Sequence, residues 1–87
     1  MKKLSKYKIC GEVNSTITGK LLYLVLDDLA NRDGEITIAQ RKISGTLGIS
    51  QSAVSVNLRR LRDNGYIKIH ARYNNDGGRS VNKYVLR

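Results

Sequence analysis

At 87 residues the chain is long enough for one small domain with a thin core. Hydrophobic residues make up 40%, which favours a folded domain over disorder, and with five Tyr but no Phe or Trp the core must rest on Ile, Leu and Val. A net charge of +9 and an isoelectric point near 10.1 suit a polyanionic partner. The lone Cys10 excludes an intrachain disulfide and fits a reducing, cytoplasmic setting. No apolar run reaches signal-peptide or membrane-spanning length; the longest, Leu21 to Leu26, is far too short, so no membrane partner is expected.

The charge is unevenly placed. Residues 1–10 hold Lys2, Lys3, Lys6 and Lys8 and no acid, whereas residues 11–56 hold four bases against five acids. Residues 57–87 hold eight bases against Asp63 and Asp76. Such asymmetry suits a surface that faces phosphates, each of which releases counterions when neutralised. A merely solvated basic surface is the competing explanation.

In chain order, residues 1–15 read as a basic N-terminal arm. Tyr7, Ile9, Gly11 and Val13 alternate with polar neighbours, a weak strand pattern that could supply dimer contacts. Residues 16–32 predict a first helix, capped by Thr16 or Thr18, with Leu22, Val25, Leu26 and Leu29 at helical spacing and Asp27, Asp28 and Arg32 outside. Asp33-Gly34 breaks it, and Glu35-Ile36-Thr37 is long enough only for a small bridging strand.

Thr37 with Gln40 spells a capping box for a second helix that buries Ile43 and Leu47 and stops at Gly48. Ser50 caps a third helix to about Asn64, with Val54, Leu58 and Leu61 on one face. Two strands, YIKIHARY and SVNKYVL, flank the turn cluster Asn74-Asn75-Asp76-Gly77-Gly78 and predict a β-hairpin.

These pieces resemble a winged helix-turn-helix domain of bacterial transcriptional regulators. The resemblance rests on IAQRKISGTLGIS as the turn motif, QSAVSVNLRRLRDNGYI as the recognition helix leading into a strand, and the GGRSVNKYVL hairpin arm. With the first helix it covers residues 16–87. The N-K-Y-x-L ending is similar also to winged domains of phage and plasmid replication proteins. The implied fold is α+β: a three-helix bundle with a C-terminal two-stranded wing. MarR-type relatives carry extra dimerisation helices for which this chain is too short. Winged domains that read left-handed duplexes rely on a Trp and prolines near the wing, which this sequence lacks.

The resemblance implies double-stranded DNA as the partner, with the third helix in the major groove. Ser50 is a cap at the helix N-terminus, where an anion is favoured. Gln51 can present a donor and an acceptor to adenine, Ser52 and Ser55 can bond base edges or phosphates, and Val56 can meet a thymine methyl. Arg59 and Arg60, one turn on, suit phosphates. In the wing, Arg72, Asn74, Asn75 and Arg79 lie at or near the tip, placed for flanking phosphates or the minor groove, and Lys83 offers a further phosphate contact. Against this, Ser52 could serve only the first helical turn, the arginines could be solvated, and NNDGG forms turns in any protein. Tyr66, Tyr73 and Tyr84 fit packing better than base stacking.

Catalysis needs convergent titratable groups, and here His70 stands alone on a strand, Cys10 has no evident partner and Asp27-Asp28 diverge along a helix. No enzyme activity, cofactor, metal or small-molecule ligand is expected. The expected role is a small transcriptional regulator of a bacterium or mobile element. One alternative is a DNA-binding module of a plasmid or phage replication or partition system. The other is a winged helix used for protein interaction, which would need an apolar or acidic outer face on the third helix. A lone domain would bind DNA modestly, and a homodimer on half-sites about 10 bp apart would bind better.

Overall fold

The computed structural model describes Leu4, residues 7–72 and residues 81–87. Its elements run α1 (Lys8–Glu12), α2 (Ile17–Leu29), β1 (Glu35–Thr37), α3 (Gln40–Leu47), α4 (Gln51–Asp63), β2 (Ile67–His70) and β3 (Lys83–Leu86). The strands form one antiparallel sheet in the order β1-β3-β2. The bridging strand expected at residues 35–37 is thus the sheet's third member, with Ile36 opposite Tyr84, while Ile69 faces Tyr84 from the other side.

Helices α2 and α4 carry the core between them. Leu22 and Leu26 from α2 meet Val54, Leu58 and Leu61 from α4, all fully buried. Ile36, Ile67 and Tyr84 close the cluster from the sheet, and Ile43 from α3. Tyr23 packs edge-on against Tyr66, with ring centroids 6.1 Å apart. Burial pushes the Tyr23 phenol above its ordinary pKa, with smaller contributions from the Asp27 carboxylate and Tyr66.

Both long helices start on a hydroxyl cap. Thr16 accepts from the Gly19 amide at 3.0 Å, and Ser50 from the Ala53 amide at 3.0 Å. Thr16 also donates to Oδ1 of Asn57 at 2.7 Å, while Nδ2 of Asn57 donates to the Ala53 carbonyl at 2.8 Å. Asn57 is only 8% exposed, so these two bonds satisfy a polar group inside the α2–α4 contact. Gly19 sits against the side chains of Ser15 and Thr16, where a Cβ would collide.

Four expectations are corrected. The alternation over Tyr7–Val13 is not a strand but the short helix α1. Helix geometry lets the Cys10 thiol donate to the Lys20 carbonyl and brings Val13, just past the helix, into the core. Among the described residues the helices therefore number four rather than three. Thr37 is not a cap: it pairs with Lys83 in the sheet, Ala39 starts α3 without a side-chain cap, and Gln40 instead donates to the Tyr84 hydroxyl at 3.3 Å. Leu29 is 55% exposed and Val25 half-buried, because Gly19, Leu22, Tyr23 and Leu26 form the inner face of α2. The predicted strand YIKIHARY is also cut short: β2 ends at His70, leaving Ala71 and Arg72 beyond it.

Candidate nucleic-acid interface

The turn between α3 and α4 fixes the reading surface. Gly48 closes α3 at φ 70°, ψ 29°, a left-handed conformation that costs glycine nothing. The amides of Gly48 and Ile49 both donate to the Ser44 carbonyl, at 2.9 and 3.2 Å, and the Ser44 hydroxyl donates to the Ile49 carbonyl. Ile49 packs on the core, and Ser50 then starts α4. The direction of α4 is thereby set at its first residue, by backbone bonds on one side and a cap on the other.

Because Val54, Asn57, Leu58 and Leu61 are buried, helical geometry turns Gln51, Ser52, Val56, Arg59, Arg60 and Arg62 outward. The outward surface has two flanks. Gln51, Ser55, Arg59 and Arg62 border an open groove of about 680 Å³ between the helix-turn-helix and the base of the hairpin. Its other borders are Ala39, Gln40 and Arg41 from the start of α3, and Ile69, Val81, Asn82 and Tyr84 from the sheet side. Among the described residues no carboxylate borders it, although the Asp63 carboxylate lies 3.1 Å from Nε of Arg62. Ser52, Val56 and Arg60 occupy the second flank, with Val56 38% exposed.

The sequence-predicted residues divide accordingly. Gln51, Ser55 and Arg59 come together on the groove; Ser52, Val56 and Arg60 lie beside it on the same helix. Ser50 is exposed at the helix start, where its oxygen serves as the cap. Arg72 is exposed beyond the end of β2. Asn74, Asn75 and Arg79, the expected wing-tip contacts, lie outside the described residues, as does Tyr73. Lys83 is drawn elsewhere: its ammonium lies 3.5 Å from the Glu35 carboxylate, across β1 and β3, and it does not border the groove.

Arg41 and Asn82 border the groove with no signal in the sequence, Arg41 lying on a helix whose pattern declares only its buried side and Asn82 within ordinary strand sequence. Arg62, for which the sequence balances a phosphate contact against a solvated side chain, borders it too and continues the series Gln51, Ser55, Arg59 at helical spacing. Its Nε lies 3.1 Å from the Asp63 carboxylate, an exposed pair of small energetic weight that a phosphate could displace. Among the described residues no ion pair engages Arg41, Arg59 or Arg60.

The arrangement offers hydrogen-bonding groups and guanidinium groups in one open groove, as binding of a polyanion requires. Among the described residues no cluster of His, Cys, Asp and Glu could hold a metal ion, and no helix is long and apolar enough to cross a membrane.

Comparison with known families agrees with this geometry. A family model described as winged helix-turn-helix DNA-binding matches residues 29–68, from the end of α2 through α3 and α4 into β2. No curated protein and no solved structure gives a significant match to the chain. Residues 29–68 are thus similar to a winged helix-turn-helix DNA-binding domain, and the sheet formed by β1, β3 and β2 completes that fold around them.

Proposed function

We propose that the chain is a sequence-preferring transcriptional regulator that acts by occupying double-stranded DNA, with no catalytic role, in the cytoplasm of a bacterium or on behalf of a mobile element. The observation that supports it best is the groove bordered by Gln51, Ser55 and three arginines, Arg41, Arg59 and Arg62. In this reading α4 enters the major groove by its first two turns. Gln51 and Ser55 meet base edges, with Ser52 and Val56 beside them. Arg41, Arg59, Arg60 and Arg62 hold phosphates on either side of the helix, and Ser50 presents the helix N-terminus to another. The hairpin carries Arg72, Asn74, Asn75 and Arg79 to the flanking backbone or minor groove. Lys83, held by Glu35, is left out of this contact set. Two copies on neighbouring half-sites supply the affinity that one small domain lacks.

Titration of labelled duplexes at several salt concentrations tests the reading. Affinity should fall steeply with salt, with the slope of roughly four to six neutralised phosphates. Arg59→Ala should weaken every duplex alike and reduce that slope by about one. Salt-independent binding, or an Arg59→Ala chain that binds like the parent, would refute it.

A further inference from the structure

The surface of α2 that faces away from α4 has a feature that DNA binding does not use. Ile17, Leu21, Val25 and Leu29 stand four residues apart and form one aliphatic ridge along the helix. Ile17 is 81% exposed, Leu29 55% and Leu21 39%, with Val25 half-buried between them. Beside the ridge, α2 is charged in a polar order. Lys20 lies in its first half, and Asp27 and Asp28 lie in its last turn, which holds no base. Acids at a helix C-terminus face the negative end of the macrodipole, so α2 in isolation is charged against its own field.

We propose that this ridge is the contact by which two copies of the chain associate, with their α2 helices antiparallel. The inference deepens the two-copy reading above by naming the surface. The charge order selects the occupant. In the antiparallel sense Lys20 of each copy comes to the Asp27–Asp28 end of the other, twice by symmetry. The positive N-terminal end of each α2 also comes beside the other copy's acids. In the parallel sense Lys20 would meet Lys20 and acids would meet acids. A twofold axis at the middle of the ridge sets Ile17 against Leu29 of the second copy and Leu21 against Val25, a self-complementary patch of the kind a closed dimer requires. Helices α2 and α4 pack through their buried faces, so the ridge and the arginine-lined surface point away from one another. A dimer formed through α2 leaves both DNA-reading surfaces free.

The ridge is about 20 Å long, at 1.5 Å per residue, so the dimer is weak in free solution. Sedimentation equilibrium of the full chain should give a dissociation constant on the order of ten micromolar. Ile17→Ser/Leu29→Ser, at two exposed positions, should raise it more than tenfold while circular dichroism stays that of the parent. Lys20→Asp should raise it about tenfold, and Lys20→Asp/Asp28→Lys, which keeps the net charge, should return it to within about threefold of the parent. A chain that stays monomeric to about 500 μM, or a dimer indifferent to Ile17→Ser/Leu29→Ser, overturns the proposal. So does a charge exchange that fails to restore association. A monomer that still binds duplex with the expected salt dependence would reject the second copy and leave the DNA reading standing.

Discussion

Helices α2 and α4 are alike in construction and opposite in what they present. Each has 13 residues, each begins on a hydroxyl side chain that accepts from the amide three residues on, and each is buried against the other through aliphatic residues. Outward, α4 shows Gln51, Ser52, Arg59 and Arg60, and its last turn holds Arg60 and Arg62, which agree with its macrodipole. Outward, α2 shows Ile17, Leu21 and Leu29, and its last turn holds two acids that oppose its dipole. Inner faces make the fold, and on the readings proposed above the outer faces choose the partner: a polyanion for one helix, an apolar and charge-ordered surface for the other.

Substitutions can separate these roles. The inner faces should respond alike and most strongly: Leu22→Ala and Leu58→Ala should each cost about 2–5 kcal/mol in urea unfolding, with no difference in kind between the helices. A much smaller loss at one of them would mean that the core is not shared equally. Thr16→Ala should cost about 1–3 kcal/mol, because it removes a cap and also leaves the buried Asn57 oxygen without its donor. Ser50→Ala removes only a cap and should cost about 1 kcal/mol, so equal losses at the two caps would argue against the Asn57 link.

The outer face of α4 should be silent in unfolding and audible in binding. Gln51→Ala should leave stability within about 0.5 kcal/mol of the parent. It should relax preference at one base pair by about 1–3 kcal/mol, measured by competition between duplexes. The smallest expected effect belongs to Tyr23. Its phenol pKa is raised in the folded protein, so its contribution is complete below the ordinary value of 10.0 and declines as pH rises beyond it, where the unfolded chain gives up a proton the folded one retains. Unfolding followed from neutral to alkaline pH should show that decline, and Tyr23→Phe should reduce it.

The helix-turn-helix was legible because its signals are local. Gly48 and Ser50 mark the turn, and Val54, Leu58 and Leu61 declare the buried face by spacing alone. The errors came where tertiary partners decided. The Thr37–Gln40 capping box has the right residues, but β3 claims the Thr37 backbone and Tyr84 claims the Gln40 side chain. Alternation over Tyr7–Val13 suggested a strand, yet these residues pack as a helix on α2. The Lys83–Glu35 ion pair is not announced by the sequence either, because its partners are far apart in the chain and near only across the sheet. Arg41 and Asn82 join the groove through α3 and the hairpin base, a juxtaposition that no spacing within either segment announces.

The central claim is that α4, not α2, faces DNA, and mapping backbone amide shifts as duplex is added tests it most directly. Amides of residues 51–62 and of Arg41 should move most, while those of residues 17–29 stay near their free positions. Shifts concentrated on the aliphatic ridge of α2, with Gln51, Ser55 and Arg59 unmoved, would contradict the account.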